Sequence, residues 1–288
     1  MTNPKRAVIG TVIGVLIGFY FKTPFNDADW HGTVDGRLKF LPQAFKSMLE
    51  EQSEGLALAV YSDGEMLADL WGGYADKSSA RLWDRDTLTN VFSTAKSIGA
   101  LIIAILVTRG KLAYEDRVPK FWPEFAQNGK ENITVQWIVE HKAGLVKFDG
   151  DFPIDHANDY RKVSKLIENS KPMWPAGTET GYHSITYGWI LDQIVRRVDD
   201  KHRSLSQFYN EEIRILAKDD LYIGLPRSEH YRVARITHAS RPNFIKSWVT
   251  SYFRIRHLLN SIKSGDLMRL MYASSDYPKW MTLITVRD

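Results

Sequence analysis

The stretch Ser93–Thr108, with Gly110 just beyond it, constrains this chain more than any other. Its run IGALIIAILV is apolar on every side, and a helix of that kind is stable only when other elements cover it. Gly110 supplies the usual helix stop. The spacing therefore predicts a central buried helix around which the rest of the fold is organised. At its mouth stand Ser93 and Lys96, three residues apart, and a lysine at the edge of so apolar a helix asks for an explanation.

The flanking patterns supply the covering elements. LPQAFKSMLEEQ, residues 41–52, has helical spacing and helix-forming residues. LALAVYSDGEMLADLWGG reads as two strands joined at Ser62-Asp63-Gly64, a hairpin signal. NITVQWIVEHKAGL predicts a helix capped by Thr134 and stopped at Gly144. DYRKVSKLIENS predicts another, and the turn-rich KPMWPAGTETGYHS leads to ITYGWILDQIVRRVDD, whose Ile185, Trp189, Ile190 and Ile194 mark a buried face. LSQFYNEEIRILAK follows, and no internal repeat is present. A strand hairpin among several helices makes a mixed α/β (α+β) layout.

Composition narrows the chemistry. A chain of 288 residues with 44% hydrophobic and 12% aromatic residues can bury a substantial core. Thirty-eight Lys plus Arg against 34 Asp plus Glu leave a net charge of +4, too slight to argue for nucleic acid as a partner. The absence of cysteine excludes disulfides, thiolate zinc sites and cysteine nucleophiles. The eight histidines show no metal-binding spacing, so neither metal nor cofactor is expected.

The first 25 residues differ from the rest. Lys5 and Arg6 precede an uncharged run from Ala7 to Phe21 with an aromatic edge at Phe19, Tyr20 and Phe21. Fifteen helical residues span roughly 22 Å, short of the ~30 Å hydrocarbon core, so a crossing needs Lys22 to Phe25 through snorkelling or local thinning. The expectation is an N-terminal hydrophobic anchor over 1–25, a linker over 26–36, and one domain over 37–288. A secretory signal peptide is the rival reading, but no small-residue cleavage site follows the apolar run. Gly10, Gly14 and Gly18 share one helix face, which would allow self-association in a bilayer; the general frequency of glycine in membrane helices explains the spacing equally well.

Ser93 and Lys96 lie on one helix face, so a hydroxyl and an amine can meet there. A helix N-terminus also offers free N–H groups and a positive dipole end to a developing oxyanion. Burial disfavours the charged form of an amine, and a neutral amine can accept a hydroxyl proton. Chance alone yields about one Ser-x-x-Lys in a chain of this length, so a serine cap beside a snorkelling lysine explains the tetrad equally well.

The order hairpin, FSTAKS, apolar helix, HKAGL and then WPAGTETGYHSITYGWIL resembles the serine β-lactamase and penicillin-binding-protein superfamily, in its class C-like esterase and animal β-lactamase-related branch. The resemblance runs from about Gly36 to at least Asp200 and implies a β-lactamase/transpeptidase-like fold, an antiparallel sheet flanked by helices with a helical subdomain. It makes Ser93 the acylated nucleophile and Lys96 its proton acceptor. Tyr182-His183-Ser184 matches the Tyr-x-Ser element, so Tyr182 would pass a proton to the leaving group and Ser184 would help hold the lysine. A phenol titrates near ~10, and Tyr182 needs neighbouring cations to act near neutrality. His183 occupies the variable middle position as a supporting residue. His141 opens the HKAGL turn, and the resemblance gives neither histidine the role of base. Trp174, Pro175 and Gly177 read as loop residues shaping the cleft.

Two features depart from that pattern. A second Tyr-x-Ser occurs at Tyr272-Ala273-Ser274, and the third superfamily motif, Lys-Thr-Gly or His-x-Gly, has no clear counterpart beyond Lys263-Ser264-Gly265 in a helical context. The strand-like KWMTLITVRD at the end suggests a shortened member. The resulting expectation is a membrane-anchored serine acyl hydrolase or transferase acting on a small-molecule or peptide ester, amide or lactam. The alternative is a catalytically impaired scaffold of the same fold, or a secreted form.

Overall fold

The computed structural model describes residues 30–52, 54–150, 154–157, 159–217 and 220–237. The chain divides into two compact units. One holds the residues up to Thr89 together with Tyr231–Arg235, and the other holds Asn90–His230.

In the first unit, strands β1 (Trp30–Val34), β2 (Leu56–Ser62) and β3 (Glu65–Gly72) form an antiparallel sheet in the order β1-β3-β2. The hairpin lies where the sequence places it. Asp63 and Gly64 both have positive φ, 50° and 81°, the backbone a tight two-residue turn demands and glycine tolerates without cost. Helix α1 (Leu41–Gln52) buries Phe45 and Leu49 against Leu70 of the central strand, with Trp30, Val34, Leu56 and Leu58 packed around them. Residues 26–36, read from sequence as linker, contain β1, whose Trp30 and Val34 pair with Gly72 and Ala68. WHGTV shows no alternation that identifies a strand; its pairing is decided by β3. Strands β4 (Tyr74–Asp76) and β5 (Arg81–Leu82) make a second small sheet. The returning segment is stitched in by Ala234 N–H to the Leu88 carbonyl and Arg235 N–H to the Ala75 carbonyl, both 2.7 Å.

The second unit is built on the predicted apolar helix, α2 (Lys96–Thr108), whose Ile102, Ile103 and Leu106 are fully enclosed. Around it the chain forms α3 (Val135–Val139), α4 (Ile154–Ala157), α5 (Tyr160–Asn169), α6 (Thr186–Val198), α7 (Leu205–Phe208), a π-helix over Tyr209–Arg214, and α8 (Ile215–Ala217). Helix α6 packs on α2, and its Ile190, Leu191, Ile194 and Val195 share one core with Ile102, Ile103 and Leu106 of α2, completed by Trp122, Phe125, Ile138, Leu145 and Phe208. Burying each such side chain stabilises the unit by about 1.5–3 kcal/mol before the cost of ordering it.

Two boundaries differ from the sequence reading. Phe92–Ala95 is a 3₁₀ turn, so the α-helix starts at Lys96 rather than Ser93. Thr134 caps α3 through a 3.2 Å bond from the Trp137 N–H, but the helix ends at Val139, well before Gly144. The left-handed backbone of His141, φ 61°, breaks it first. Among the described residues no helix is long and apolar enough to cross a membrane, and residues 1–25 lie outside them.

Candidate active site

The 3₁₀ turn before α2 decides where Ser93 stands. Phe92 adopts φ 46° and donates its N–H to Asn90 Oδ1 at 2.8 Å, a local turn that swings the chain into the helix. Ser93 stands at neither N-cap position, which are held by Val91 and Ala95, and neither of those makes a side-chain cap bond. The exposed Ser93 hydroxyl instead lies 3.3 Å from Lys96 Nζ. The cap explanation of the Ser-x-x-Lys spacing is thereby removed.

Tyr182 completes the group from the other side. Its ring centroid is 4.9 Å from Lys96 Nζ, within cation–π range. Burial pushes the Tyr182 phenol up, but hydrogen bonds from Ser93 and Lys96, together with the Lys96 charge, outweigh it and leave the phenol below its ordinary value. A hydroxyl, an amine and a phenol thus share one hydrogen-bonded cluster at the open end of a buried helix.

What holds Tyr182 there is a pair of turns bonded to each other. Gly181 N–H donates to the His141 carbonyl at 3.0 Å, and His183 N–H donates to His141 Nδ1 at 3.1 Å. His183 Nε2 accepts the Leu145 N–H at 3.0 Å, and its Nδ1 lies 2.7 Å from the Gly181 carbonyl. With both ring nitrogens engaged, the bonding assigns the Nδ1–H tautomer. Burial pushes the His183 imidazolium down to about 4, with the Gly181 carbonyl opposing and His141 assisting. His183 is fully enclosed, so it supports the turn from within and has no face for a substrate. Ser184 donates its N–H to the Tyr182 carbonyl at 2.9 Å. Gly181 admits no side chain, because a Cβ there would lie 2.2 Å from the Trp174 ring. Trp174 therefore shapes the approach to Tyr182.

Sequence reading passed over the double anchorage on His141, and its only local signal is a histidine opening a turn that ends in a positive-φ glycine, Gly144. Among the described residues no group of His, Asp and Glu is arranged to hold a metal ion. Lys263-Ser264-Gly265 and Tyr272-Ala273-Ser274 lie outside the described residues.

The chain as a whole is similar to known proteins. Residues 41–268 match the family model described as Beta-lactamase. The esterase/beta-lactamase LipL of Mycobacterium tuberculosis is 31% identical over 242 residues, which is 84% of this chain and 55% of that protein. A penicillin-binding protein homolog from Caulobacter crescentus has a TM-score of 0.68 at 34% identity, covering 78% of this chain and 62% of that one. A family VIII carboxylesterase has a TM-score of 0.68 at 33% identity, covering 73% and 57%. The chain therefore spans between 55% and 62% of the length of these relatives.

Proposed function

Because this chain belongs to the β-lactamase family, we propose that it is a serine acyl hydrolase or transferase that uses Ser93 as its nucleophile. The observation that carries the reading is the convergence of Ser93, Lys96 and Tyr182. Ser93 Oγ attacks an ester, amide or lactam carbonyl while its proton passes to Lys96. The tetrahedral intermediate collapses as Tyr182 delivers a proton to the departing oxygen or nitrogen, leaving an acyl-enzyme. Water or another acceptor then releases the acyl group, with the proton returning through the same pair. In this reading the backbone N–H of Ser93, in the 3₁₀ turn at the mouth of α2, serves as a donor to the oxyanion.

The same proposal includes single-pass membrane anchoring through residues 1–25, supported by Lys5, Arg6 and the uncharged run to Phe21. One experiment addresses both parts: labelling of cells expressing the full chain with a fluorescent fluorophosphonate or β-lactam, followed by alkaline extraction of membranes. Labelled protein is expected in the extracted membrane pellet and absent for Ser93→Ala, and strongly reduced for Lys96→Ala. Unchanged labelling of Ser93→Ala refutes the nucleophile, and label released into the wash refutes the anchor. Folded, unlabelled wild-type protein would favour the scaffold reading.

A further inference from the structure

We infer that His141 is a positioning residue that seats Tyr182 beside Lys96 only while its imidazole is neutral. This rests on the acyl-transfer reading of Ser93, Lys96 and Tyr182. Both backbone amides flanking Tyr182 end on His141, one on its carbonyl at 3.0 Å and one on Nδ1 at 3.1 Å. The same imidazole walls the tyrosine, with ring centroids 5.0 Å apart, and touches Tyr187 at 4.8 Å and His183 at 5.4 Å. One residue therefore fixes the chain on either side of Tyr182 and limits the swing of its ring.

The bond at Nδ1 imposes a condition. An amide N–H can donate only to an unprotonated nitrogen, so the imidazole must carry its single proton on Nε2. A proton at Nδ1 would set donor against donor, break the His183 anchor and add a cation beside Lys96.

The groups facing the ring agree with this requirement. From α2 comes Lys96, whose charge disfavours a second cation. The Tyr182 turn contributes Tyr182 and His183, and α6 contributes Tyr187. On its own turn, Glu140 and Lys142 pair with each other at 2.7 Å. Burial first, and Lys96 second, hold the His141 imidazolium below its ordinary 6.5. The backbone position of the ring is fixed locally: with φ 61° His141 is the left-handed residue that closes α3, its N–H and that of Lys142 returning to the Ile138 and Trp137 carbonyls at 3.1 and 2.7 Å.

The test compares the full-length wild type with His141→Asn and His141→Ala, each checked for folding by thermal melting. Asparagine offers an acceptor oxygen near the place of Nδ1, tolerates left-handed backbone and does not titrate. kcat and KM for a p-nitrophenyl ester are followed from pH 8 to 5, above the range in which His183 gains its proton. Wild-type kcat is expected to fall on the acid side with KM little changed. His141→Asn should retain activity at pH 8 and lose that acid limb, whereas His141→Ala should lose about 10- to 100-fold in kcat throughout. An acid limb in His141→Asn identical to the wild type overturns the inference.

The ring resonances of Tyr182, assigned with Tyr182→Phe, give a readout independent of turnover. They should move with the His141 titration in the wild type and stay flat in His141→Asn. If they stay flat in both, His141 does not position Tyr182. If they behave as expected while no ester is hydrolysed, the acyl-transfer reading fails and the positioning stands.

Discussion

His183 ties the stability of the second unit to pH. Its ring is fully enclosed, accepts the Leu145 N–H and faces the Gly181 carbonyl, and burial holds its imidazolium near about 4 against an ordinary 6.5. Because the folded value is the lower one, the unfolded chain binds the proton more readily. The contribution is complete above pH 6.5 and disappears as pH falls toward 4. At about 1.4 kcal/mol per pH unit the full effect is about 3 kcal/mol, of which roughly three quarters is lost by pH 4.5.

The measurement is urea unfolding of the wild type and His183→Gln at pH 7.5 and 4.5, followed by tryptophan fluorescence. Taking the difference between the two proteins at each pH cancels the titration of every other group they share. The wild type should lead at pH 7.5, and its lead should shrink by about 2 kcal/mol or more at pH 4.5. A lead that is constant or larger in acid would mean that His183 is not held neutral by burial, and the reasoning would fall.

Two further outcomes follow from buried contacts. The Glu168 carboxylate accepts bonds from Trp122 Nε1 (3.0 Å), Ser164 Oγ (2.7 Å) and Lys165 Nζ (2.8 Å). Lys165 is exposed and adds little, but Glu168→Ala strands the buried donors and should cost about 3–5 kcal/mol in chemical denaturation; a loss under 1 kcal/mol would refute the network. Gly181→Ala forces a Cβ against the Trp174 ring and should cost about 1–3 kcal/mol in stability while slowing Ser93 acylation about tenfold, read by melting and probe-labelling rate. Unchanged labelling would show that Tyr182 is not aligned through this contact.

Interactions that span one helical turn were readable directly. The apolar run of α2, the cap at Thr134, the hairpin at Asp63-Gly64 and the approach of Ser93 to Lys96 depend on neighbours within a few residues, where backbone geometry sets the distances. The 26–36 segment could not reveal β1, because WHGTV acquires its strand conformation from β3. The helix predicted through HKAGL runs too far because α3 is closed at His141 by a left-handed cap, with the His141 and Lys142 N–H groups returning to the Ile138 and Trp137 carbonyls. A histidine in the place glycine usually takes gives no local signal of that stop. Lys130, which donates to the Glu168 and Ser170 carbonyls from full burial, carried no local sign of being inside. The amino-acid sequence by itself determined the local tools of the site, Ser93 and Lys96 on one turn. Bringing Tyr182 to them was decided only by tertiary structure, since packing of α6 on α2 and the bonds between two distant turns place its ring, and no periodicity encodes that distance.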